Sequence, residues 1–179
     1  MSVKKYVTDG SMYVWSLLRL ALGYVFLWAF LDKLFGLGFA TCKDKVSGLV
    51  DVGCSSAWIN GGSPTNGFLS KATTGPFQDF YNNLAGQAWV DWLFMLGLLV
   101  VGLGLLLGTW VKFAALSGIV MMLLMWSALL WPANAPGVDE HILYALALFG
   151  IALTASHQPW SLNSWWAKTR IAKSLPFLK

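Results

Sequence analysis

Residues 89–131 read WVDWLFMLGLLVVGLGLLLGTWVKFAALSGIVMMLLMWSALLW, and this stretch decides the fold. No charge falls between Asp91 and Lys112, and none between Lys112 and Trp131. Each half is long enough to cross a bilayer, which takes about 20 apolar residues in a helix. Hydrocarbon offers no water to backbone polar groups, so uninterrupted runs of this kind read as helices. Only Gly108-Thr109-Trp110 separates the halves, so the two helices fold back on each other as antiparallel neighbours.

Working outward, the first span covers residues 12–33, interrupted by Arg19 and closed by Asp32-Lys33. The last covers residues 140–157, its short apolar centre borrowing length from Glu140-His141 and Ser156-His157. A signal peptide is the rival reading of the first span, with Lys4 and Lys5 before it and Gly38-Phe39-Ala40 as a cleavage site. Arg19 breaks its apolar region and the run outlasts a signal core, so we read it as retained. The expected fold is therefore an all-α membrane protein of one domain. It is an antiparallel four-helix transmembrane bundle with spans 12–33, 90–107, 111–131 and 140–157. Composition agrees, with 57% apolar and 11% charged residues in 179, where a soluble domain carries about 25% charged ones. That excludes a soluble enzyme, a disordered tail and a zinc-type nucleic-acid module. The net charge of +4 points to no nucleic acid, because its basic residues gather mainly at the two ends, as topology would place them.

An even number of spans puts both termini on one side. With the termini inside, Lys4, Lys5, Lys112, Lys168, Arg170, Lys173 and Lys179 are cytoplasmic, and Lys33, Lys43, Lys45 and Lys71 lie outside in one long loop. That asymmetry predicts cytoplasmic termini in the inner membrane. The loop, residues 34–89, is then extracytoplasmic. It holds the only cysteines, Cys42 and Cys54, which read as a disulfide in an oxidising compartment, or else as two free thiols. Ser63-Pro64 can start a short helix through residue 71. Gly75-Pro76 can start another, through residue 84 and ending at Gly86. After Pro159, the tail to residue 179 carries Trp160, Leu162, Trp165 and Trp166 with Lys168, Arg170 and Lys173, an interfacial anchor for membrane lipids.

Ionisable residues inside a membrane are functional candidates because burying them is costly. Arg19 reads three ways: snorkelling to headgroups, packing between helices, or binding an anion or a quinone. Asp32, Lys33, Asp91, Asp139, Glu140 and His141 all fall at the extracytoplasmic ends of spans. The candidate site is Lys33, Asp91, Glu140 and His141 converging under the loop, with Asn60, Ser63 and Asn66 supplying neutral hydrogen bonds. The other reading has each satisfied alone at the water boundary. His141 and His157 lie 16 residues apart on one helix, about 24 Å, so they cannot share a haem; no metal site is evident either. Gly104-x-x-x-Gly108 and Ala114-x-x-x-Gly118 suit close helix approach.

LLRLALGYVFLWAFLDKLFG (17–36), WINGGSPTNGFL (58–69) followed by GPF (75–77), GLLVVGLGLLLG (97–108) and VDEHILYAL (138–146) carry a resemblance. In their order and spacing they resemble the DoxX/DoxD-like integral membrane proteins, which include the large subunit of thiosulfate:quinone oxidoreductase. Members of that family often have an acidic residue after the glycine corresponding to Gly97, where this chain has Leu98. The resemblance implies a quinone-linked subunit oxidising thiosulfate or another small sulfur compound. In that reading Lys33 and Lys71 attract the anion, and Glu140 and His141 handle protons. The alternative is a non-catalytic accessory subunit on a larger membrane electron-transfer complex, its partner another membrane or extracytoplasmic subunit.

Overall fold

In the computed structural model the described residues are 3–44, 46–133 and 135–174, with the side chains of 3–9 and 171 not described. The side chains of Lys4 and Lys5, and residues Lys45 and Lys179, lie outside the description. Eight α-helices follow one another among the described residues: α1 (Val3–Phe35), α2 (Asn66–Lys71), α3 (Gln78–Leu84), α4 (Ala88–Leu107), α5 (Val111–Ala128), α6 (Glu140–Thr154), α7 (Asn163–Trp166) and α8 (Arg170–Ser174). No strand forms among them beyond two isolated bridges.

Three helices are long and apolar enough to cross a membrane: Gly10–Phe35 of α1, all of α4 and all of α5. α6 has 15 residues and is continued by a 3-10 turn at Ala155–His157. These four helices share one core of Leu22, Phe26, Met95, Val101, Leu105 and Leu148 among others. Glycine sets the closest approach of α1 and α4. A Cβ on Gly23 would meet the Leu106 nitrogen at 2.8 Å, and one on Gly102 would meet the Leu27 nitrogen at 2.7 Å. Gly104 and Gly118 are likewise packed, against Ala114 and Leu148. Outward, Val14, Leu17, Leu93, Leu116, Leu146 and Leu153 are exposed, the surface expected of helices solvated by lipid.

α5 stops at Ala128, three residues before the sequence-based limit of Trp131. Pro132 disfavours helical backbone at the residue before it, and the loop captures the end of the helix. Thr74 donates its N–H to the Ala128 carbonyl (2.9 Å) and its hydroxyl to the Leu130 carbonyl (3.3 Å). The segment between α1 and α4 is folded. α2 and α3 occur where Ser-Pro and Gly-Pro place them, and the chain turns at Gly86 with φ +76°. Thr65 is the N-cap of α2, and Ser63 Oγ, two residues earlier, accepts the Asn66 N–H (3.2 Å) and ties down the turn before the helix. Tyr81 of α3 is buried against Ala128 and Leu69, its hydroxyl against Ser127 Oγ (2.6 Å), while Phe77 and Phe80 of the same stripe are exposed.

Candidate functional site

The ionisable side chains at the two ends of the bundle define the site, beginning with Arg19 on α1. It is fully buried. Its Nε donates to Gln158 Oε1 (2.8 Å), Nη1 to the Leu105 and Leu106 carbonyls, and Nη2 to the Pro159 (3.4 Å) and Trp160 (2.9 Å) carbonyls. The last turn of any helix leaves carbonyls without intrahelical partners. Those of α4 are collected by Arg19, by the Leu162 N–H on Leu107 O (3.0 Å), and by Ser161 Oγ on Gly108 O (2.7 Å). A guanidinium suits this place because the carboxyl end of a helix carries partial negative charge and its planar fork reaches several acceptors at once. Of the three readings of Arg19, the geometry matches packing.

At the other end the carboxylates do the complementary work. Asp32 is buried at the close of α1, and its two oxygens accept the N–H groups of Phe39 (3.0 Å), Ala40 (2.9 Å) and Thr41 (3.0 Å). Asp91, in the first turn of α4, accepts the Ser63 hydroxyl (2.9 Å), the Thr65 hydroxyl (2.6 Å) and the Thr65 N–H (3.1 Å). Asp139 caps α6, its Oδ1 accepting the N–H groups of His141 (3.0 Å) and Ile142 (3.3 Å) and its Oδ2 lying 2.8 Å from His141 Nδ1. Burial pushes the Asp139 carboxyl up, but these hydrogen bonds and the facing imidazole outweigh it and hold the group below its ordinary range.

Among the described residues no hydrogen bond or ion pair joins Lys33, Asp91 and Glu140 to one another. Asp91 and Ser63 meet, as expected of residues under and in the loop. Lys33 instead lies half-buried over the Phe94 ring, 5.9 Å from its centroid. Glu140 is exposed. The one carboxylate–cation-type contact among the described residues is His141 Nδ1 with Asp139 Oδ2, and Lys33 and Glu140 make none. The reason is helical geometry: successive residues point about 100° apart, so Glu140 faces out when His141 joins the buried stripe of Ala145, Leu148 and Ile151. Asn60 turns away to donate to the Gly53 carbonyl (2.6 Å). Asn66 and Lys71 are exposed on α2. Thr65 and Gln158 are polar anchors that sequence reasoning does not single out, and Asp32, there only an end charge, is a third, because their partners are backbone groups or distant residues.

Cys42 and Cys54 form a disulfide, with Cα atoms 5.6 Å apart. It closes a small hairpin in which Asp44 N–H bonds Leu49 O (2.9 Å) and Asp51 N–H bonds Cys42 O (3.0 Å). An open depression of about 680 Å³ lies on this hairpin. At the start of α6, Asp139, Glu140 and His141 bring one ligand-type atom each within 4.8 Å of the others, although both Asp139 oxygens are already engaged. A quinone needs donors and space. Lys33 Nζ, over the Phe94 ring, and the second His141 nitrogen are donors of the kind a quinone carbonyl accepts from.

No curated protein and no solved structure matches the chain. The DoxX family profile matches residues 14–131, well over half of the sequence. That match takes in α1 from residue 14 on, the folded loop, α4 and α5, and it ends before the VDEH segment. Leu98, where the family often carries an acid, is buried in the common core. The chain belongs to the DoxX family, and with its long apolar helices it is an integral membrane protein.

Proposed function

We propose that this chain is a non-catalytic accessory subunit that packs on a larger membrane electron-transfer complex. In this reading it crosses the inner membrane as an antiparallel four-helix bundle, with α6 and its 3-10 extension as the fourth span. Both termini are cytoplasmic, and the disulfide-bearing loop is extracytoplasmic. The observation that carries the reading is the use made of the buried charges. Arg19, Asp32 and Asp91 are spent on backbone groups and hydroxyls of their own chain. They hold loops in place instead of presenting free functional groups. What they hold is a rigid platform on which Phe39, Val46, Leu49, Val52 and Ile59 stand exposed, the apolar character of a contact surface.

Purification in mild detergent tests this. The expected result is a cofactor-bearing partner in stoichiometric amount, lost in Asp91→Ala while the variant stays folded in the membrane. A chain that emerges alone under every mild condition would contradict it.

The Asp139–His141 pair favours a second reading, a quinone-linked subunit that oxidises thiosulfate or a related sulfur compound. A carboxylate on Nδ1 fixes the imidazole so that its other nitrogen can exchange a proton, and the His141 side chain is only 10% exposed. Lys33 and Lys71 would then draw in the anion. Quinone reduction by the isolated chain, abolished in His141→Ala, is the result that would favour it.

A further inference from the structure

We propose that residues 157–173, together with Lys112, form a binding surface for the headgroups of anionic phospholipids. The segment is fastened across the α4–α5 turn. Leu162 N–H bonds Leu107 O, Ser161 Oγ bonds Gly108 O, and the Trp166 ring packs edge-on against Trp110 at 4.9 Å. Held this way, it leaves Trp160, Leu162 and Trp165 exposed, Trp165 by 64%. Trp160 also meets Tyr13 on the outer face of α1 (5.4 Å), beside exposed Val14 and Leu17. The aromatic surface is thus continuous with the lipid-facing surface of the bundle, at the height where tryptophan and tyrosine line a membrane boundary.

Charge selects the headgroup. Lys112, Lys168, Arg170 and Lys173 are all exposed, and none is in an ion pair with a described residue. The sequence holds no Asp or Glu from 92 to 138 or after Glu140, and Asp9 is the only one in the first 31 positions. Lys112 lines a small crevice of about 60 Å³ with Val111, Ala155, Ser156 and Asn163, where the Ser156 hydroxyl and the Asn163 amide can meet phosphate oxygens. A basic face with an aromatic rim, its four cations in no ion pair with a described residue, suits an anionic leaflet.

The test reconstitutes the full chain with equal amounts of phosphatidylglycerol and phosphatidylcholine, extracts it gently, and counts retained lipids by native mass spectrometry. The wild type should retain phosphatidylglycerol preferentially. The variant Lys112→Gln/Lys168→Gln/Arg170→Gln/Lys173→Gln should lose that preference, by roughly fivefold or more. Trp165→Ala should weaken retention of both lipids alike. Raising salt to about 0.5 M should erode the wild-type preference, since exposed charges are screened, and this arm holds even if the quadruple variant folds poorly. Equal retention of the two lipids by the wild type would overturn the proposal, and would fit a face reserved for an acidic protein. Displacement of the lipid by millimolar inorganic phosphate would overturn it in favour of a free-phosphate site.

Discussion

The Arg19 end of the bundle and the Asp32–Asp91–Asp139 end meet the same demand with opposite charge. Around Arg19 the groups in need are carbonyls from the last turn of α4 and from residues 159 and 160, and one buried cation collects them. At the other end the groups in need are N–H and hydroxyl groups of loops and of the first turn of α6, and three carboxylates collect them. Buried backbone polar groups must be paired, and the sign of the collector follows from whether acceptors or donors have been orphaned. A buried charge in this chain is therefore evidence of a fastened loop before it is evidence of chemistry.

Breaking the cationic end should have the largest effect. Arg19→Met leaves several carbonyls and Gln158 without their donors, and each unpaired buried group costs about 1–3 kcal/mol. Thermal unfolding in detergent should show a loss of more than about 3 kcal/mol. Arg19→Lys should rescue little, because a single ammonium cannot span α4 and residues 158–160 together. Full stability of the lysine variant would show that charge alone suffices there.

The disulfide comes next. Cys42→Ser removes a cross-link across 12 positions, worth about 3 kcal/mol in the chain-entropy account. The loss should stay local, with faster hydrogen exchange through the hairpin and unchanged exchange in α4 and α5. Asp91→Ala should cost about 2 kcal/mol and free the turn at Ser63 and Thr65, read as proteolysis between α2 and the hairpin. If the turn stays protected, Asp91 is not its fastener.

The smallest effect belongs to Asp139→Ala, about 1 kcal/mol for a lost N-cap. Acid should mimic it. The carboxyl is held below its ordinary value of 3.8, so its contribution is intact above that pH and fades as pH falls through the lower, folded value. Wild type and Asp139→Asn should therefore differ near neutral pH and converge in strong acid. A constant difference across the range would remove the titration argument.

The apolar runs and their turn were legible in the sequence because helices solvated by lipid need unbroken hydrophobicity. So were α2 and α3, since proline and glycine punctuate them. The disulfide followed from two cysteines sharing one loop. The role of Arg19 was not legible, since its acceptors are backbone carbonyls up to 141 positions away and carbonyls leave no mark in a sequence. Lys33 and Glu140 form no ion pair, and Glu140 is exposed in the first turn of α6, an orientation that the order of residues at a span end does not reveal. Asp32 was read as an end charge for the same kind of reason, its three partners being N–H groups of Phe39, Ala40 and Thr41.

The central claim is that the buried charges build a platform and do not themselves oxidise a substrate. The direct measurement is reduction of a soluble quinone analogue by the purified chain alone, in proteoliposomes supplied with thiosulfate. The account predicts no quinol above protein-free vesicles. Sustained thiosulfate-dependent quinol formation, lost in His141→Ala with the fold intact, would contradict it.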